Sequence, residues 1–177
     1  MPRYELVRNA GEVPYEEWAL RGVKAVLFDK DGTLTHANRL TLIDDVIDRL
    51  EAQELNKLFT HIGISSNNHD PAAVEALAVA LQERLGIGVL ALSRAAYRRK
   101  PHPQMGLAAA EQLGIMPQEL GIVGDRRYTD VGFGLNVRAK AIALCEKAGD
   151  GDALFVPTLR RLEKVWVRAE QALERAA

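Results

Sequence analysis

The chain has 177 residues, 47% of them hydrophobic and 27% charged, with 23 basic residues against 24 acidic ones. That composition fits one globular domain around a single core and excludes a disordered chain. A formal charge of −1 argues against binding nucleic acid through bulk positive charge. Cys145 is the only cysteine, so neither an internal disulfide nor a cysteine-based zinc site can form. A reducing cytoplasm is the compartment this suggests.

Residues Met1 to Trp18 carry Arg3, Glu5, Arg8, Glu12, Glu16 and Glu17 and hold no apolar h-region, so they do not read as a signal peptide. The first strand is expected over Val23 to Phe28, ending at Asp29. Ile43, Val46, Ile47 and Leu50 then recur at helical spacing. A second strand is expected over Leu58 to Ile64, before Ser65-Ser66-Asn67-Asn68. Val74, Leu77, Ala78, Leu81 and Leu85 form the next helical stripe, which Gly86 stops. Ile87 to Leu92 reads as a third strand. Pro103 opens a helix over Met105 to Leu113, closed by Gly114. Leu120 to Val123 and Ala139 to Leu144 complete five strands. Leu159, Leu162, Trp166, Ala169 and Leu173 mark a terminal amphipathic helix, about 157–176.

Strands alternating with helices imply a three-layer, doubly wound, parallel five-stranded α/β sheet of Rossmann-like type. The expected organisation is a single domain over 1–177, with a core at about 22–147 and an N-terminal extension at 1–21. No apolar run approaches the roughly 18 residues of a spanning helix. Ligands of such sheets bind at the carboxyl ends of the strands.

Four polar groups fall at those ends. Asp29 and Asp31 stand two apart after the first strand and could share a face, although the pattern also fits an Asx-rich turn. Ser66 and Asn67 follow the second strand and can donate to an anion. Asn67, Asn68 or Asp70 before Pro71 would equally cap the next helix. Lys100, ahead of Pro101, can set a compact positive charge against an anion, while Arg98 and Arg99 read as solvated. Asp125 directly follows the fourth strand and could bind a hard cation, with Asp130 as a supporting or additional ligand. A loop with an N-cap is the alternative there. Each signal is modest alone, and the ordered set is specific.

On these residues the chain resembles the haloacid-dehalogenase-like superfamily of aspartate-nucleophile phosphatases. Asp29-Lys30-Asp31-Gly32-Thr33-Leu34-Thr35 matches its first motif, Ser66 the second, Lys100 the third, and Gly124-Asp125 with Asp130 the fourth. The Phe-Asp-Lys-Asp-Gly-Thr-Leu-Thr wording, Ser66-Asn67-Asn68 and the short layout are similar to the phosphatidylglycerophosphate-phosphatase-like branch. That branch usually has Asn where this chain has Gly32. The resemblance implies Mg2+-dependent hydrolysis of a phosphomonoester through an aspartyl-phosphate. In it Asp29 is the nucleophile and Asp31 the general acid and base. Asp29, Asp125 and the Asp31 backbone carbonyl bind the metal, supported by Asp130. Ser66 and Lys100 hold the transferring oxygens. It also implies that the gaps from Thr35 to Ile64 and from Asn68 to Arg99 are too short for a cap domain.

The expected substrate is a phosphorylated small molecule or a phospholipid headgroup. Arg126 and Arg127, with Arg98 and Arg99, could rim the cleft. His36, His69 and His102 read as loop residues, and Gly149-Asp150-Gly151-Asp152 as a turn. The terminal helix reads as core packing, with a dimer or membrane-surface contact through Trp166 as the alternative. Two other functions stand beside the phosphatase. One is a catalytically silent binding or scaffold module of the same fold. The other is a phospho-acceptor signalling domain, disfavoured because its acceptor Asp normally lies on a later strand.

Overall fold

A computed structural model describes residues 4–146 of the chain. The terminal helix expected at 157–176 and the Gly149–Asp152 turn lie outside those residues. Six strands form one parallel sheet: β1 Glu5–Val7, β2 Ala25–Phe28, β3 His61–Ser66, β4 Gly88–Ser93, β5 Leu120–Gly124 and β6 Ala141–Cys145. Their order is β1-β6-β5-β2-β3-β4. The helices are α1 Tyr15–Leu20, α2 Asp44–Ala52, α3 Leu55–Leu58, α4 Pro71–Leu85, α5 Gln104–Leu113 and α6 Gly132–Val137.

The doubly wound α/β architecture is as expected, but the strand count is six, not five. The added strand is β1, which pairs Glu5 with Ala143 and Val7 with Cys145 at the sheet edge. It is three residues long and partly exposed throughout, so no buried apolar run marks it. The chain that follows is part of the core. Tyr15 and Trp18 of α1 are fully buried, and Tyr15 packs edge-on against both Trp18 and Phe59. The Trp18 ring lies where a side chain at position 121 would stand, 2.7 Å from a Cβ built on Gly121. Glycine there lets the indole rest on β5.

Alternation along β2 feeds two separate cores. Val26 and Phe28 pack with Val46, Ile47, Leu50, Val74 and Leu81 of α2 and α4. Ala25 and Leu27 pack with Met105, Ala109, Phe133 and Val137 of α5 and α6. The sheet is thus covered on both faces, as parallel sheets require. Between β2 and β3 the chain holds α2 and α3, and between β3 and β4 it holds α4. Among the described residues, no cap domain is inserted at either place.

The topology sets the site. From β2 the chain steps outward to β3 and β4, then returns to β5 on the other side of β2. Strand order therefore reverses between β2 and β5, which opens a crevice beyond their carboxyl ends. The pairing of Phe28 with Val123 puts the residues after β2 beside those after β5. Trp18→Ala should cost about 3–5 kcal/mol of stability, as expected for a fully buried aromatic truncated in a core. Urea unfolding of the full chain measures it, and a loss below about 1 kcal/mol would show that α1 is not part of the core.

Candidate active site

β2 ends at Phe28, and the backbone N–H of Asp29 still donates to Val123 O at 2.8 Å. That bond ties the start of the loop to β5. Beside it, Asp125 follows Gly124 directly. Asp130 lies in a wide helical turn over Arg127–Val131 that leads into α6. Asp29, Asp125 and Asp130 bring carboxylate oxygens within 4.8 Å of one another. Gly124 is what admits this packing, because a Cβ at that position would fall on Cβ and Cγ of Asp130.

Lys100 enters from the loop after β4. It is 1% exposed, and its Nζ donates to Asp29 Oδ1 at 2.7 Å and to Asp130 Oδ1 at 2.6 Å. The ammonium also stands 6.0 Å from the centroid of the Phe133 ring. Asp130 is further held through Oδ2 by the Arg126 backbone N–H at 3.1 Å and the Thr129 hydroxyl at 3.3 Å. Both Asp130 oxygens are thus engaged with protein donors. Asp29 offers Oδ1 to Lys100.

Three carboxylates face one ammonium among these four groups. Lys100 stays protonated, because its two carboxylate partners outweigh the cost of its burial. Lys100 pairs with two of the three, Asp29 and Asp130. Burial, with help from Asp130 and Asp31, pushes the Asp29 carboxyl up to about 6 against the pull of Lys100. Gathered oxygen donors of this kind fit a hard divalent cation.

The remaining predicted residues take several places. Ser66 ends β3 and is buried. Its Oγ accepts from Asn68 N at 3.1 Å, which leaves its O–H to donate. Asn67 does not simply face an anion. Its Oδ1 accepts from the Lys100 N–H at 2.8 Å, and its Nδ2 donates to Lys100 O at 3.4 Å. It clasps the backbone of the lysine. Asp70 caps α4 by accepting from Ala72 and Ala73. Arg126 contributes its backbone to Asp130, and its side chain is half-buried at the rim.

Asp31 lies outside the three-carboxylate group. β2 stops at Phe28, so strand alternation no longer carries Asp29 and Asp31 onto one face. Asp31 Oδ1 instead accepts from Lys30 Nζ at 2.6 Å and from Asn38 N at 2.8 Å. Lys30 is the residue that motif reading passed over. It is 1% exposed and ion-paired with Asp31. A lysine between two aspartates at a strand end was the available signal. Gly32 has a φ of +81°, a region that asparagine enters more readily than most other residues with a side chain.

The mitochondrial PGP phosphatase family matches this sequence over residues 7–147. The chain belongs to this family. It is 29% identical over 173 residues to phosphatidylglycerophosphate phosphatase 1, chloroplastic/mitochondrial, of Arabidopsis thaliana, across 92% of this chain and 47% of that protein. It is 32% identical over 170 residues to the chloroplastic phosphatidylglycerophosphate phosphatase 1 of Chlamydomonas reinhardtii, across 89% and 59% of the two chains. The chain spans about half the length of these curated relatives. Among solved structures, a haloacid-dehalogenase family hydrolase from Deinococcus radiodurans shares the fold at 18% identity. Its TM-score is 0.52, over 78% of this chain and 89% of that one.

These relatives overturn the expectation of a cytoplasmic compartment, since both are named for chloroplasts or mitochondria. A lone cysteine reports a reducing environment and does not say which reducing compartment holds the protein. No described helix is long and apolar enough to cross a membrane.

The raised Asp29 pKa has a consequence for stability. Unfolded, the group titrates near the ordinary carboxylate value of 3.8; folded and metal-free, it titrates at about 6. The native state therefore holds the extra proton between these values, and stability falls as pH rises through that window. The loss is on the order of 3 kcal/mol. Urea melts of wild type and Asp29→Asn in chelator should diverge in favour of the variant from pH 4 to 7. A constant difference across that range would refute the assignment.

Proposed function

We propose that this protein hydrolyses a phosphomonoester on a phospholipid headgroup, phosphatidylglycerophosphate in character, through an aspartyl-phosphate and with Mg2+. One observation carries the reading: a partly buried carboxylate, Asp29, lies at the switch point of the sheet, paired with the buried Lys100 and set beside two buried carboxylates. The relatives' names support the substrate class. The absence of a cap between β2 and β4 suits a phosphate at the end of a large lipid.

Asp29 and Asp125, with the backbone carbonyl of Asp31, would hold the cation, and Asp130 would support them. When bound, Mg2+ supplies positive charge that offsets the phosphate dianion. Asp29 Oδ2 attacks phosphorus, forming an Asp29 O–P bond as the ester P–O bond breaks. Asp31 gives its proton to the leaving alcohol oxygen. The transferring oxygens lie against the Lys100 ammonium and the Ser66 hydroxyl, which stabilise charge as it develops. Asp31, now a carboxylate, takes a proton from water, whose oxygen attacks phosphorus. Inorganic phosphate leaves and the Asp29 carboxylate is restored.

Lys30 and the Asn38 N–H keep Asp31 Oδ1 fixed, so Oδ2 is the oxygen that exchanges the proton. Asn67 keeps the Lys100 main chain in place, and Asp130 aims its ammonium. Lysine at position 100 therefore acts from a clamped base at both ends.

Asp29→Asn should lower turnover by about 10⁴-fold or more with the circular dichroism spectrum unchanged. Chelation should stop wild-type turnover, Mg2+ should restore it, and Ca2+ should not, since calcium takes looser and higher coordination. Phosphate release from phosphatidylglycerophosphate vesicles, with a water-soluble ester in parallel, measures all three. Retained turnover in Asp29→Asn would refute the nucleophile. Turnover of the soluble ester alone would refute the lipid substrate.

A further inference from the structure

The arginines of this chain divide by where they stand. Arg8, Arg21, Arg49 and Arg84 each pair with carboxylates. Arg84 alone reaches Asp44, Asp48 and Glu51 across α2 and α4. The loops that leave the carboxyl ends of β2, β4 and β5 differ. They carry Arg39, Arg94, Arg98, Arg99 and Arg126, and none of these forms a salt bridge among the described residues. The Arg98 guanidinium stands 3.1 Å from the ring of His102.

Acidic residues on the loops after β2, β3, β4 and β5 are already committed. Asp29, Asp125 and Asp130 are clustered in the crevice. Asp31 is paired with Lys30, and Asp70 caps α4. A chain of net charge −1 thus concentrates uncompensated positive charge on the edge where the crevice opens. Two large side chains that are exposed to water stand on the loops after β2 and β5: Leu40 at 59% exposure and Tyr128 at 70%.

We propose that this edge is the surface by which the protein docks on an anionic bilayer, with the arginines at the headgroup level and Leu40 and Tyr128 entering the interface. Charge complementarity selects the partner, and exposed apolar side chains among basic ones select a lipid surface over a nucleic acid. Docking in this orientation turns the crevice toward the membrane. A headgroup phosphate then reaches Asp29 without leaving the bilayer. The inference rests on the lipid-phosphate reading for its purpose, but its evidence is the charge distribution.

Co-sedimentation of the full chain tests it, using phosphatidylcholine vesicles with and without phosphatidylglycerol. Wild type should bind only the anionic vesicles, and salt should weaken the binding. The triple variant Arg39→Gln/Arg94→Gln/Arg99→Gln should partition about a hundredfold more weakly, since each such arginine strengthens partition by about fivefold. Lysine at the same positions should retain binding. Leu40→Ser/Tyr128→Ser should also weaken it. Hydrolysis of a water-soluble ester should be unchanged in Leu40→Ser/Tyr128→Ser. Equal sedimentation of the triple variant and wild type would overturn the proposal, as would tighter binding to an RNA duplex than to anionic vesicles. Vesicle binding without any ester hydrolysis would refute the phosphatase reading alone. Ester hydrolysis without vesicle binding would refute the docking surface alone.

Discussion

One buried ammonium shared by a buried carboxylate and a partly buried one organises this molecule's chemistry. Lys100 Nζ sits between Asp29 and Asp130 at 2.7 and 2.6 Å. The three groups come from the loops after β4, β2 and β5. A buried lysine is tolerable only where opposite charge surrounds it, and buried carboxylates need donors in turn. Each group thus makes the burial of the others sustainable. Beside this pair, Asp125 brings a third carboxylate to within 4.8 Å, and gathered oxygen donors of this kind suit a hard divalent cation.

The surrounding structure serves to hold this cluster. The reversal of strand order at β2 and β5 creates the crevice. Glycine at 124 lets Asp130 pack against the end of β5. Asn67 spans from the end of β3 to the Lys100 backbone with both ends of its amide, and the Arg126 N–H and Thr129 hydroxyl fix the far oxygen of Asp130. Positioning of this kind through main chain and short side chains is stiff, which suits a site that stabilises charge by preorganisation. Lys30 performs the same service for Asp31.

Much of the fold was legible because buried parallel strands write themselves as apolar runs. Val26 to Phe28, Ile62 to Ile64 and Leu120 to Val123 bound the crevice, and each was followed by a polar residue that now lines it. The edge strand was not legible. Glu5 to Val7 is short and half-exposed and pairs only with β6, so its signal is the partner, not its composition. The burial of Tyr15 and Trp18 was likewise hidden, because a two-turn helix with Glu16 and Glu17 at its start reads as surface.

The order and chemical types of Asp29, Asp31, Ser66, Lys100, Asp125 and Asp130 were determined by sequence alone, because catalytic residue types and glycine requirements are local properties of the chain. Tertiary structure alone decided the partners. It separated the Asp31 carboxylate from the Asp29 cluster by ending β2 at Phe28, and it turned Asn67 toward the lysine backbone. It also set five arginines, none in a salt bridge among the described residues, on the loops that leave the carboxyl ends of three strands. Distances between residues seventy positions apart depend on how strands are ordered in the sheet, and no local pattern encodes that order.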